Sequence, residues 1–131
     1  MPEINPESPC PCGSGSLLKQ CCGLYLYNGK HPETAVKLMR SRYTSYVLQA
    51  VDYLLQTTAV RERRNYSRKA LLHWAESSHW LRLEILETTE TTVTFKAYYL
   101  DEKLNPHVHF EKSRFVFEQQ QWFYLDGKLM A

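Results

Sequence analysis

The sequence predicts an α+β fold with a small metal-binding appendage at its front. Three observations carry this. Apolar residues recur at helical spacing from about residue 33 to residue 76. From Trp80 onward they alternate with polar residues at strand spacing. All four cysteines fall between Cys10 and Cys22, ahead of both regions. Helices first and strands after predict helices packed on one face of an antiparallel sheet.

The cysteine stretch runs Cys10-Pro11-Cys12-Gly13-Ser14-Gly15, then Ser16 to Gln20, then Cys21-Cys22-Gly23. It offers two close pairs of thiolates, the arrangement a structural zinc site uses. Pro11 stiffens the first pair, and Gly13 and Gly15 allow a tight turn. Ser14 and Ser16 are placed to donate hydrogen bonds to the sulfurs. The stretch from Ser16 to Gln20 is expected to make a helical turn that returns Cys21 and Cys22 to the metal, with Gly23 ending it. The alternatives are two disulfides or four plain thiols. A Cys21–Cys22 disulfide would close a strained ring, and an iron–sulfur cluster calls for wider spacing. No stretch reads as a secretory signal, which predicts a reducing, cytoplasmic setting in which metal binding is the better use of four cysteines.

The remaining elements follow in order. Met1 to Pro9 holds three prolines and reads as a frayed start, or one ordered on contact. Leu24 to Tyr27 is expected as a short apolar bridge, with Tyr25 and Tyr27 packing the knuckle onto the main domain. Asn28-Gly29 marks a turn. A helix is expected over Glu33–Gln49, entered after Pro32, with Ala35, Leu38, Met39, Tyr43, Tyr46, Val47 and Ala50 on one stripe and Lys37, Arg40 and Arg42 off it. A short second helix is expected at Asp52-Tyr53-Leu54-Leu55, ending near Thr57-Thr58. A third covers Tyr66–Glu76, capped by Asn65 or Ser67. Strands are expected at Trp80–Leu86, Thr92–Tyr99, Val108–Glu118 and Gln121–Asp126, joined as a meander, with Glu118 to Gln121 as the last turn.

At 131 residues the chain fits one ordinary domain plus the appendage, divided here as 1–27 and 28–131. Aromatic residues make up 13%, a density that predicts a well-filled core, a lined cavity, or both. The formal charge is +2 with neutral thiols, and four thiolates with one zinc ion bring it to about zero. Such a chain has no global pull on nucleic acid. The basic run Arg61 to Lys69 could contact RNA, with Tyr66 and Trp74 for stacking, but a solvated helix face is the expectation. His73 and His79 are expected as surface histidines. No run of 18 apolar residues is present, so no membrane span is expected.

Cys10-Pro-Cys-Gly-Ser-Gly followed by Cys21-Cys22-Gly23 resembles the SEC-C motif, the zinc tail of the SecA translocation motor. Cys22 stands where those tails carry histidine. The motif docks on other proteins in that setting, which implies a protein partner here. Further on, Leu38-Met39-Arg40-Ser41-Arg42-Tyr43, Val51-Asp52-Tyr53-Leu54, Trp80-Leu81-Arg82-Leu83-Glu84-Ile85 and His109-Phe110-Glu111-Lys112-Ser113-Arg114-Phe115 occur in that order. With the cysteine segment in front, the chain resembles the bacterial YchJ family. The resemblance covers about Cys10 to Gly127 and implies a cystatin-like cone similar in fold to nuclear transport factor 2, with an open hollow between helix and sheet. Many members carry a second cysteine motif near the C-terminus. With no cysteine after Cys22, this chain resembles the single-knuckle type.

Such a hollow often holds a small molecule or an active site. The candidates to line it are Arg40, Tyr43, Tyr46, Asp52, Trp74, Trp80, His109, Glu111, Ser113 and Arg114. On the third strand His107, His109, Glu111, Ser113 and Phe115 share one face. His109 and Glu111 could form an acid–base pair. The competing expectation is that Glu111 pairs with Arg40 or Arg42 as a structural ion pair. Four thiolates leave zinc no open position, so the metal is expected to be structural. The leading functional expectation is an uncharacterised zinc-binding protein acting as an interaction adapter through its knuckle. The alternative is a small-molecule binder or enzyme using the hollow.

Overall fold

The structure, a computed structural model, describes residues 4–131. A 3-10 turn over Leu18–Gln20 leads into helix α1 (Gly23–Leu26). Helices α2 (Ala35–Val47) and α3 (Val51–Gln56), a 3-10 turn over Val60–Asn65 and helix α4 (Arg68–Ser77) follow. Strands β1 (His79–Thr88), β2 (Thr92–Leu100), β3 (Pro106–Glu118) and β4 (Gln121–Leu129) complete the chain. They form one antiparallel sheet in the order β1-β2-β3-β4, the meander that the alternation predicts.

Local chemistry accounts for the helix starts. The Thr34 hydroxyl accepts the Lys37 amide at 3.2 Å and opens α2. Ser67, one of the two expected caps, does the same for Ala70 at 3.2 Å and opens α4. The expected apolar bridge at Leu24–Tyr27 is instead mostly helix α1. Gly23 starts that helix rather than ending the preceding turn. A side chain there is excluded because a Cβ would lie 2.6 Å from the Leu18 carbonyl oxygen. Of the two bridging tyrosines only Tyr25 is buried, its hydroxyl donating to Glu33 at 3.0 Å; Tyr27 is exposed. Of the N-terminal stretch Met1–Pro9, Met1 to Glu3 lie outside the described residues. From Ile4 the chain is ordered against the knuckle: Leu18 N–H donates to the Ser8 carbonyl and Ile4 packs on Leu18 and its neighbours.

Helix α2 departs most from its amphipathic reading. Ala35, Leu38, Met39 and Tyr43 bury as expected, but so do Ser41, Arg42, Thr44 and Ser45. Arg42, placed off the stripe by periodicity, is buried because α2 is covered on more than one side. The sheet packs against one side through Val93, Phe95, Ala97 and Phe115. The knuckle covers another, where Leu18 and Cys22 meet Leu48 and Val47. Ser41 and Ser45 satisfy their hydroxyls by bonding back to the Leu38 and Ser41 carbonyls at 2.8 Å.

Two features of the sheet position the site. The segment Thr57–Ala59 covers part of the β4 edge. Tyr124 N–H donates to the Thr57 carbonyl at 2.7 Å, and Ala59 N–H donates to the Tyr124 carbonyl at 2.8 Å. The β3–β4 register also slips between Arg114 and Phe115. Such a bulge re-aims side chains, and Tyr124, the residue paired with Phe115, lines the hollow between sheet and helices. No helix among the described residues is long and apolar enough to cross a membrane.

Candidate functional sites: a cysteine cluster and an aromatic hollow

The cysteine cluster is built by two tight turns. Cys10 N–H donates to the Ser16 carbonyl at 2.9 Å, and Gly13 N–H returns to the Cys10 carbonyl at 3.1 Å. Gly13 and Gly15 take φ values of +78° and +91°, a region that suits glycine and lets the loop fold over the sulfurs. The 3-10 turn over Leu18–Gln20 then delivers Cys21 and Cys22. All four sulfurs lie within 4.8 Å of one another, and all four cysteines are free. Four thiolates around one tetrahedral ion would sit about 3.8 Å apart. Cys12 and Cys21 Sγ are 3.6 Å apart, and the four together could hold a metal ion.

The surroundings of the cluster fit the same use. The Ser14 hydroxyl lies 3.2 Å from Cys21 Sγ and the Thr44 hydroxyl 3.7 Å from Cys10 Sγ. The Ser16 hydroxyl, expected to donate as well, makes no such contact, while its amide bonds to Ser14 Oγ. Contact with Cys10 pushes the Cys22 thiol up, and contact with Cys10 pulls Cys12 down. Four thiols this close cannot all ionise without a cation among them. Cys10, Cys12 and Cys22 are buried and only Cys21 is partly open. Arg40 belongs here: its Nη1 donates to the Cys12 carbonyl at 2.9 Å and ties the knuckle to α2.

The hollow has a volume of about 340 Å³. Helix α2 supplies Met39, Arg42, Tyr43 and Tyr46. The stretch ahead of and along α4 supplies Tyr66, Leu71 and Trp74. The sheet supplies Trp80, Phe95, Ala97, His109, Glu111, Ser113 and Tyr124. Its wall is a connected aromatic set. Tyr46 meets Trp74 and Trp80 with ring centroids 5.0 and 5.5 Å apart, and Trp74 meets Trp80 at 5.4 Å and His109 at 5.2 Å.

Register puts the polar groups on the floor. Ala97 pairs with His109, Phe95 with Glu111, and Val93 with Ser113, so all six share the inner face. Glu111 takes His109 Nε2 at 2.8 Å on one oxygen. On the other it takes the Ser113 hydroxyl at 2.5 Å and the Tyr124 hydroxyl at 3.1 Å. Burial pushes its carboxyl up, but these three donors outweigh burial and hold it below its ordinary value. An ionised carboxylate only accepts, so the His109 Nε2 carries the proton. Burial and the nearby Glu111 charge push the Tyr124 hydroxyl well above its ordinary value. Gly127, opposite Ser113, makes room for this group: a Cβ there would collide with the Glu111 carboxyl and lie 2.8 Å from the Tyr124 hydroxyl.

The structure therefore brings together Tyr43, Tyr46, Trp74, Trp80, His109, Glu111 and Ser113 of the sequence candidates. It does not bring Arg40, Asp52 or Arg114 to them. Asp52 is exposed and pairs with Arg68, and Arg114 is exposed and pairs with Asp126. The ion pair expected between Glu111 and Arg40 or Arg42 does not form, because His109, Ser113 and Tyr124 occupy the carboxylate. His107 turns to Asp101 at 2.8 Å. In the basic run, Arg61 pairs with Glu118 at 2.8 Å and Arg63 Nε donates to the Thr58 carbonyl at 2.9 Å, while Tyr66 and Trp74 face the hollow. Sequence reasoning missed Arg42, Tyr66, Tyr124 and Gly127 as parts of the site. Periodicity placed Arg42 on the wrong side, and the bulge that re-aims Tyr124 leaves no mark in the alternation.

A family model described as SEC-C motif matches residues 8–24, and one described as YchJ, middle NTF2-like domain, matches residues 34–127. A UPF0225 protein of Haemophilus influenzae strain PittEE is 39% identical over 122 residues, covering 89% of this chain and 76% of the relative. One from strain 86-028NP is also 39% identical, with 89% and 75% covered. The solution structure of a SEC-C motif containing protein from Rhodopseudomonas palustris superposes with a TM-score of 0.85 at 30% identity, covering 93% of this chain and 98% of the other. A crystal structure of a SEC-C motif containing protein from Psychrobacter arcticus gives 0.77 at 24% identity, covering 96% and 85%, which speaks for the fold alone.

Two outcomes follow from this geometry. The knuckle shares its core with α2, so removing a bound metal with a chelator should lower the single melting transition of the entire chain. A separate low-temperature transition with the main one unmoved would count against this. Glu111, depressed in the folded state, contributes stability that is full above its ordinary value of 4.5 and fades as pH falls through the folded value. Glu111→Gln should therefore be less stable than the parent at neutral pH, and the gap should narrow as the pH is taken below 4.5. A gap independent of pH, read by thermal denaturation, would remove Glu111 from that role.

Proposed function

The chain belongs to the YchJ family, and on that premise we propose that it is a zinc-stapled binding domain that takes a small organic molecule into its hollow. The observation that supports this most is the hollow itself: about 340 Å³, aromatic on its walls, with a few convergent polar groups on its floor. Binding is favoured over turnover. Glu111, kept ionised by three donors, is a fixed acceptor rather than a general acid near neutral pH. His109 is held in one orientation by that same carboxylate.

The metal in this reading is zinc. Four thiolates in a closed tetrahedron suit it and leave no position for substrate, so its part is to hold the N-terminal segment against α2. A docking role for the knuckle is the second reading. It is favoured by the exposed rim Gly13–Ser16 and by a groove beside it lined by Gln20, Lys37 and Arg40. The buried half of the knuckle already packs on its own domain, so a protein partner would use this outer rim.

Elemental analysis of purified protein should return one zinc per chain; iron, or no bound metal at all, contradicts the zinc assignment. For the hollow, a thermal-shift screen of small organic molecules should yield compounds that stabilise the parent by about 2.7 kcal/mol when present at a hundredfold over Kd. The same compounds should fail on Ala70→Trp, which narrows the mouth from an exposed position on α4. Equal shifts in both proteins would place binding elsewhere. For the docking reading, Gln20→Glu/Lys37→Glu should lose partners that the parent captures from a native lysate, and identical partner sets would end it.

A further inference from the structure

Arg42 is the unresolved charge of the hollow. It is 7% exposed, in the middle of α2. Its Nη1 donates to the Leu54 carbonyl and the Thr57 hydroxyl at 2.8 Å, and to the Thr58 hydroxyl at 3.3 Å. None of these partners is charged. Among the described residues no carboxylate lies within ion-pair distance of Arg42. Glu111 is already occupied, and the Tyr124 ring lies under the guanidinium, with its centroid 4.4 Å from Cζ, while its hydroxyl reaches Glu111.

Buried charges in folded proteins are ordinarily paired, because an unpaired one forfeits hydration without compensation. Arg42 keeps two donors for such a pairing. Its Nε and Nη2 have no acceptor among the described residues, and neither atom is sealed from solvent. The cavity that Arg42 lines is the aromatic hollow. Tyr46, one helical turn further along α2, lines the same hollow, and its hydroxyl likewise has no protein partner among the described residues.

We propose that the molecule held in this hollow is a carboxylic acid with a flat apolar body. Its carboxylate would pair with the free Nε–Nη2 edge of Arg42, and its body would lie among Tyr46, Trp74 and Trp80. The guanidinium edge presents two parallel N–H groups, the geometry that takes a carboxylate in two bonds at once. The aromatic rings take the apolar part and exclude the water that would otherwise weaken the pair. Glu111, at the floor and already accepting three hydrogen bonds, repels an anion from its own side and directs the carboxylate toward Arg42. The inference rests on the binding role of the hollow and adds the chemistry of what it selects.

Isothermal titration calorimetry on the zinc-loaded full chain tests it with three molecules of one shape: 3-phenylpropionate, 3-phenylpropanol and 3-phenylpropylamine. The acid should bind about tenfold or more tightly than the alcohol, the margin of a charge-assisted pair, and the amine should be weakest. Arg42→Gln removes the charge and the guanidinium edge while keeping a polar side chain, and should bring the acid down to the alcohol while leaving the alcohol unchanged. Equal affinity of acid and alcohol for the parent, or preference for the amine, overturns the carboxylate assignment and leaves the binding role standing. Absence of heat from all three at millimolar concentration overturns both. The comparison among ligands on the parent protein decides the matter even where Arg42→Gln fails to fold.

Discussion

Helix α2 must be buried on nearly every side, and the rest of the molecule is arranged to do it. From Leu38 to Ser45 only Arg40 is not buried. One helix therefore serves as the back wall of the sheet core, the seat of the knuckle and one side of the hollow. A helix in that position needs small or self-satisfying polar groups where it meets its neighbours. Ser41 and Ser45 bond back to their own helix, Thr44 meets Cys10, and Arg42 meets the end of α3. Each is a polar side chain that burial alone would penalise, and each has at least one partner that offsets the penalty.

The knuckle follows from this constraint. A segment of about twenty residues cannot build a stable core alone. Here it borrows one: Leu18 and Cys22 close against Leu48 and Val47, while Arg40 reaches across to the Cys12 carbonyl. A metal ion held by the four cysteines would do two things at once. It would fix the two cysteine turns relative to each other, and it would hold an apolar plug over the flank of α2. The cysteine cluster and the flank of α2 share the same buried side chains, so filling the one would stabilise the other.

The hollow is the complement of that burial. On its sheet side, antiparallel register lines up Phe95 with Glu111 and Ala97 with His109, and a bulge brings in Tyr124. On its helix side α2 presents Arg42 and Tyr46 one turn apart. Opposite charges thus stand at two places in one aromatic cavity, separated by Tyr124, which touches both. Glu111 is satisfied within the protein and Arg42 only in part. That asymmetry gives the cavity a polarity of its own in a chain whose overall charge is small.

The α+β class, the meander and the four-cysteine cluster are all carried by the sequence, because each is written in short-range spacing. Alternation along a strand, recurrence along a helix and two close pairs of cysteines are all legible over a dozen residues. It also marked seven of the residues that line the hollow, since His109, Glu111 and Ser113 fall on one strand face and the aromatic residues stand out by size. What it could not determine depended on contacts between distant segments. Whether Arg42 faces water or the interior is decided by α3 and the sheet closing over a helix whose periodicity points it outward. Gly127 matters because Glu111, on the neighbouring strand, leans over it. Asp52 and Arg114 look like site residues in sequence and are drawn off by Arg68 and Asp126. The partner of a buried charge is a property of packing, and only the tertiary structure supplied it.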